Sequence, residues 1–449
     1  MYKLLLKKCM FPIIEWYSGT NILRCYKELD KSQWLKPSEI HQLQFKKLCS
    51  LLAHAYNNVP YYHRIFRNLE LRPEDIKSTK DLVKLPILTK EIIRKNFDKL
   101  IAQNHTKLVL TTTGGSVGEP LKFYRDNTTR SYTQASVFRN LNWAGWELGD
   151  GWCTLSGSSY DIKEIRKMDK RLYATIIRRK ILPADNLSEK QLDNYIDILR
   201  RFKPKIITGY ASSLFLMAKF MEKERIANIN PASIVSGSEM LFPWQRFKIK
   251  EQFNCDVFDG YGSREFQIAY ECEEHTGYHI SAETVLMEFV KNEEQVYSGE
   301  SGKILITDLH NYAMPLIRYE IGDVGKPSDE QCSCGRGLPL MSSLEGRITD
   351  FIVTPSKKVI SGTMLSLVFK DFDFVKKYQV IQKTKNKIFV KLVPTKPPSQ
   401  DDEKNLLTIL QKHIGFDVEI EIKFVEAIPT PPSGKYRAVI SNVSIEPEE

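Results

Sequence analysis

Lys205-Ile-Ile-Thr208, Ile234-Val-Ser236 and Asp256-Val-Phe-Asp259 are three short β-rich runs. Each ends in a polar, Gly-containing turn: Thr208-Gly-Tyr210, Ser236-Gly-Ser-Glu239 and Gly260-Tyr-Gly-Ser-Arg-Glu265. Amphipathic segments separate them, Ser212 to Arg225 and Pro243 to Phe253, the second entered at a proline. The order β-α-β-α-β predicts a sheet with helix crossovers. Open α/β sheets hold ligands beyond the carboxyl ends of their strands, so the three turns are candidate walls of a site.

Upstream, Ile40, Leu43, Leu48, Leu51, Leu52 and Ala55 keep helical spacing from Ser38 until Pro60 stops it. Downstream the pattern changes. Tyr378 to Lys383 and Lys387 to Val393 flank Thr384-Lys-Asn386 as a hairpin, followed by a helix from Asp401 to His413 and a strand from Val418 to Val425. A chain of 449 residues is too long for one core. The expected fold class is therefore α/β. A large N-terminal domain, residues 1–345, has mixed sheets and helix crossovers, and a small C-terminal α+β domain spans residues 346–449.

Composition narrows the function classes. Apolar residues make up 42% and charged residues 27%, which excludes collagenous, coiled-coil and disordered chains. No window approaches the length of a transmembrane span. The excess of 65 basic over 55 acidic side chains gives +10 but is spread without a dense block, so no nucleic-acid partner is expected. At the N-terminus Lys7-Lys8 and Pro12 cut the apolar runs and no small-residue cleavage site follows. The segment reads as a helix packed on its own domain, with membrane contact at most peripheral. A cytoplasmic, reducing location is expected, and with it eight unpaired cysteines.

Several stretches could carry chemistry. Thr111-Thr-Thr-Gly-Gly-Ser-Val-Gly-Glu-Pro120 offers hydroxyls and free backbone N–H groups, and its glycines allow close approach to a phosphate. No Gly-Lys-Ser/Thr closes it, so it is not a Walker loop. Gly322-Asp323 places a carboxylate at the end of a strand-like run, where such acids hold ribose hydroxyls. Pro429-Thr-Pro-Pro-Ser-Gly-Lys-Tyr-Arg437 presents Lys435 on a stiff loop as a point charge. Cys272-Glu-Glu-His275 and Cys332-Ser-Cys334 together supply four sulfur and nitrogen ligands, a tetrahedral structural Zn2+ set, with His279 a rival for the His position.

The order of these motifs, with Gly346-Arg-Ile-Thr-Asp350 before the Lys435 loop, resembles the adenylate-forming superfamily of acyl-CoA synthetases, adenylation domains and luciferases. More narrowly it is similar to the phenylacetate–CoA ligase family and its capsular-polysaccharide-cluster, CapK-like branch. That match draws on Val59-Pro-Tyr-Tyr62, Leu85-Pro-Ile-Leu-Thr-Lys90 and Ala313-Met-Pro-Leu-Ile-Arg-Tyr319. The resemblance implies that ATP phosphates lie in a loop containing Thr112, Thr113, Gly114, Gly115, Ser116 and Gly118. Ser238 and Glu239 would border the adenine, Tyr261 with Gly262 and Ser263 would flank the base, and Glu265 would hold Mg2+. Asp323 would bind the ribose, Arg347 would approach ribose or phosphate, Asp350 would be the hinge, and Lys435 would steady the carboxylate and α-phosphate.

Arg264 departs from the family's Thr, and its guanidinium can still donate to phosphate. Some family members show a similar cysteine set. The expected activity is ATP-dependent adenylation of a small carboxylic acid, then transfer to CoA. The alternatives are an adenylyltransferase that leaves AMP on its acceptor and a catalytically silent binding protein of a polysaccharide assembly complex.

Overall fold

The computed structural model describes residues 1–104, 108–112, 121–155, 168–184, 187–263, 265–347, 351–356, 359–362, 365, 368–369, 372–429 and 436–443. By internal contacts the chain forms two compact units. One holds Met1–Ile321 and Lys326–Ser343, and the other holds Gly322–Gly325 and Leu344–Pro431. The fold class is α/β with a small α+β unit, as expected.

The frame of the large unit is a mixed sheet of 12 strands. In spatial order it runs Glu294–Gln295, Val285–Lys291, Gly302–Asp308, Tyr319–Ser328, Leu340–Arg347, Tyr278–Ile280, Gln267–Glu271, Asp256–Gly262, Ser233–Gly237, Ile206–Gly209, Trp152–Leu155 and Arg179–Leu182. The last five are mutually parallel. Parallel strands need crossovers, and the helices Ala211–Lys223 and Pro243–Phe253 supply two of them. Leu214, Met217, Ala218 and Met221 from the first pack with Ile249 and Phe253 from the second over Ile207, Ile234 and Val257. This sandwich explains why these strands read as apolar runs rather than alternating ones.

In the small unit, Val375–Thr384 pairs with Lys387–Pro394, flanked by Glu419–Phe424 and Val439–Ser441. Helix Gln400–Ile414 begins at Ser399, whose hydroxyl accepts from the Asp402 N–H. Its Leu406, Leu410 and Ile414 sit on Val380, Ile388, Val390 and Leu392.

Three stretches distant in sequence meet in the large unit. The Tyr62 hydroxyl donates to the Pro315 carbonyl at 2.9 Å and accepts from the Ile317 N–H at 3.1 Å. Leu88 N–H donates to Arg318 O, and Glu320 N–H donates back to Leu88 O, both at 3.0 Å. The Arg318 guanidinium donates to Leu85 O and pairs with Glu288 at 3.1 Å, both side chains buried. Val59–Tyr62, Leu85–Lys90 and Ala313–Tyr319 are thus one structural knot. Removing one partner of a buried ion pair strands the other charge, so Arg318→Met should destabilise the protein by about 3–5 kcal/mol. Chemical denaturation checks this, and adding Glu288→Leu should recover part of the loss. A single substitution without effect would contradict the reading.

Candidate active site and metal centre

Strand register brings two of the Gly-containing turns side by side. Ser236 pairs with Asp259 and Gly237 with Gly260, so the chain leaves one strand at Ser238-Glu239 while its neighbour runs on through Tyr261 and Gly262, paired with Ala269 and Gln267, before leaving at Ser263. Gly209 pairs with Ser236, which brings the third turn to the same edge. A side chain at Gly209 would collide with the Leu155 carbonyl at 2.6 Å, so only glycine fits there. Ser238 turns the chain with φ of +67°. Glu239 has a specific structural task, because its carboxylate accepts from the Ser212 N–H at 2.9 Å, at the start of a helix.

After Tyr261, itself buried, the Ser263 hydroxyl accepts from the N–H groups of Glu265 and Phe266, each at 3.2 Å. This fixes Glu265 as it re-enters the fold. Glu265, itself buried, lines a small mixed cavity of about 20 Å3 with Thr129, Thr133, Asp308 and His310 and with the apolar Phe266 and Val285. The carboxylate and hydroxyl oxygens among these side chains are the donor type that Mg2+, a hard cation, takes. Burial lifts the Asp308 carboxyl to about 7. Beneath the Tyr261 turn, burial together with the charge of Glu271 lifts Asp259 to about 7. Tyr278 donates to Asp259 at 2.7 Å, and Arg246 grips Glu271 at 2.7 and 2.9 Å.

The strand Val109–Thr112 pairs antiparallel with Lys122–Arg125, Thr112 opposite Lys122. The joining segment, with Thr113, Gly114, Gly115, Ser116 and Gly118, lies outside the described residues, as do Arg264, Asp350 and Lys435. Arg347 ends its strand, and its side chain is also outside them. Asp323 is buried in the strand Tyr319–Ser328, after Gly322 with φ of +90°.

Sequence reasoning missed Arg125. Its Nε donates to the Thr111 hydroxyl at 3.1 Å, at the base of the Thr/Gly segment. Burial lowers its pKa, while the carboxylates of Asp308 and Glu265 act against the shift. The signal was available, since a strand that directly follows such a segment must return alongside the one that precedes it.

The cysteines converge, with one correction to the expected set. Cys272, His279, Cys332 and Cys334 bring their ligand atoms within 4.8 Å of one another. Cys272 Sγ is 3.5 Å from Cys332 Sγ, and Cys334 Sγ is 3.4 Å from His279 Nε2. His275 does not join them. Its Nδ1 lies 3.2 Å from the Glu271 carboxylate, its ring leans on Phe258 at 4.8 Å, and its φ is +51°. The strand Tyr278–Ile280 explains the exchange, because successive side chains point to opposite faces. Tyr278 turns toward Asp259 and His279 toward the sulfurs.

Burial depresses the His279 imidazole to about 4, leaving it neutral as a metal ligand must be. Thr276 Oγ1 donates to Cys332 Sγ at 3.3 Å, and Glu274 N–H to Cys272 Sγ at 3.5 Å. Arg336 packs over Trp34 and Trp143 beside the cluster. Three thiols and one neutral imidazole, their ligand atoms within 4.8 Å of one another, fit a closed tetrahedral Zn2+ site.

Known proteins bear on this geometry. Residues 352–442 match the family model described as the CapK C-terminal domain. Protein CapK of Staphylococcus aureus is 25% identical over 422 residues, 90% of each chain. Phenylacetate-coenzyme A ligase of Escherichia coli K12 is 26% identical over 364 residues, 76% of this chain and 79% of the enzyme. In fold, the chain is similar to a crystal structure of 2-hydroxyisobutyryl-CoA ligase in the postadenylation state, with TM-score 0.73, 17% identity and 92% of both chains covered. Motif order, sheet topology and near full-length likeness agree. Over most of its length the chain resembles protein CapK and the phenylacetate-coenzyme A ligases, and residues 352–442 carry the CapK C-terminal domain.

Proposed function

We propose that this protein is an ATP-dependent acid–thiol ligase that joins a small carboxylic acid to CoA. The observation that carries the reading is the pairing of Ser236-Gly237 with Asp259-Gly260 at the carboxyl ends of parallel strands, a few residues before the buried Glu265. In the first half-reaction a carboxylate oxygen of the acid attacks the α-phosphorus of ATP, and pyrophosphate leaves. In the second, the thiol sulfur attacks the acyl carbon, AMP leaves, and the thiol proton goes to solvent. No protein nucleophile is needed. The chain contributes positioning and charge neutralisation.

In this account the Thr112–Gly118 segment and Arg264 bind phosphates, and Ser238, Glu239, Tyr261, Gly262 and Ser263 form the adenine end. Asp323 and Arg347 hold the ribose. Mg2+, held by Glu265, supplies further charge neutralisation. The Cys272–His279–Cys332–Cys334 group holds a structural Zn2+. Residues 346–449 act as a mobile small domain turning at Asp350. A place in polysaccharide biosynthesis belongs to the same proposal, and it rests on the family resemblance alone.

Product analysis tests the reading. With ATP, Mg2+, CoA and the right acid, each turnover should yield one free AMP and one thioester. An AMP adduct without thioester would instead identify an adenylyltransferase. The hinge gives a second test. Proline fixes φ near −65° and removes a donor, so Asp350→Pro should still form acyl-adenylate while thioester formation falls sharply. A folded variant completing both steps at the native rate would remove rotation at Asp350 from the mechanism.

A further inference from the structure

The described residues include 17 large apolar side chains that are exposed, and seven of them fall within residues 1–17: Met1, Tyr2, Leu4, Leu5, Ile13, Trp16 and Tyr17. Residues Tyr2–Ser18 form a continuous helical run, α-helical except for a wider π-helical stretch at Leu6–Met10. The wide turn has a consequence for the faces. Leu6 and Phe11, five apart, are both fully buried, which an unbroken α-helix would not place on one side. Inward they join Ile22, Cys25, Phe138 and Trp146. Outward, Leu5, Cys9, Ile13 and Trp16 follow one another at three- to four-residue spacing, and Tyr17, four residues after Ile13, widens the exposed stripe. Trp16 and Tyr17 are 84% and 83% exposed.

Basic groups border this stripe. Lys8 is exposed within it, and Lys7 reaches Glu147 only at 3.6 Å between exposed groups. Beside the helix, held by Phe11 against Tyr173 and by the Tyr2 hydroxyl on Ile176 O, the helix Met168–Ile176 adds exposed Leu172 and Arg171. Apolar side chains, aromatic rings with polar tips and flanking cations are the chemistry of a lipid–water interface. A second copy of this chain suits the stripe less well. A 17-residue helix is about 25 Å long and about 10 Å wide, well short of the roughly 800 Å2 per partner in a stable interface.

We infer that the helical run Tyr2–Ser18 docks the protein on an anionic lipid bilayer, with Leu5, Ile13, Trp16 and Tyr17 entering the interface and Lys8 meeting headgroups. The full chain tests this by co-sedimentation with vesicles of phosphatidylcholine alone or mixed equally with phosphatidylglycerol. Binding should be about tenfold tighter to the anionic vesicles at low salt and weaken as salt rises. Ile13→Glu with Trp16→Glu should lower affinity by about a hundredfold, leaving thermal unfolding and pyrophosphate exchange unchanged. If that pair of changes disturbs folding, quenching by bromine-labelled acyl chains decides instead: it should be strong in the native protein and largely lost in Trp16→Phe. No binding to either vesicle, binding that ignores the substitutions, or quenching that survives Trp16→Phe would overturn the inference. So would a native dimer that the same substitutions split, because the stripe would then join two copies.

Discussion

Lys435→Ala is expected to slow acyl-adenylate formation by about a hundredfold or more, the size of effect seen when one donor to a developing oxyanion is removed. Pro429-Thr-Pro-Pro-Ser-Gly434 is a stiff approach ending in Ser-Gly, and Lys435 follows it as a single ammonium on a flexible stem. Negative charge grows on the α-phosphate while the acid's carboxylate attacks, and a positioned cation helps that transition state more than the ground state. Thioester formation makes a different demand: charge then develops on the departing AMP phosphate, and in this account the small domain that carries Lys435 has already turned at Asp350. Pre-formed acyl-adenylate given to the variant should therefore be converted to thioester at close to the native rate. Single-turnover measurement of both halves provides the check, and equal losses in the two would remove Lys435 from its assigned role.

Purified protein, prepared under reducing, chelator-free conditions, is expected to carry about one zinc per chain. Cys332→Ser and His279→Ala should each abolish it, whereas His275→Ala should keep it. The distinction follows from geometry, since His279 Nε2 lies 3.4 Å from Cys334 Sγ and His275 is engaged with Glu271 at 3.2 Å. Cys272 is fully buried, and burial pushes its thiol well above the ordinary range, so without a cation this is a costly place for its thiolate. Zinc binding to such a set is folding free energy. Loss of the metal should lower the melting temperature by about 5 °C or more. Cobalt substitution offers an independent readout through its thiolate charge-transfer absorption. Metal analysis finding nothing, or His275→Ala losing the metal, would contradict the assignment.

Local order was readable along the chain, and non-local order was not. The run from Lys205 to Glu265 declared its strands and helices because each is short, uniform in character and ended by Gly, Pro or Asn. The hairpin at Thr384–Asn386 and the helix capped by Ser399 were legible for the same reason. The 12-strand order was not, since pairing of Leu340 with His279 joins residues about sixty apart. The choice between His275 and His279 depended on that pairing. Spacing favoured Cys-x-x-His, and strand alternation beside Tyr278 chose otherwise. The exposed stripe on Tyr2–Ser18 was hidden too, because a π-helical stretch shifts the register on which helical periodicity relies.

Adenylation is the claim on which the account turns, and exchange of labelled pyrophosphate into ATP measures it directly, without CoA and without knowledge of the final acceptor. With Mg2+ and a panel of small carboxylic acids, exchange should appear with the cognate acid, vanish when the acid is omitted, and fall by about a hundredfold in Lys435→Ala. Exchange absent across a broad panel, in protein that is folded and binds ATP, would contradict the account and favour a binding protein that keeps the ligase fold without its chemistry.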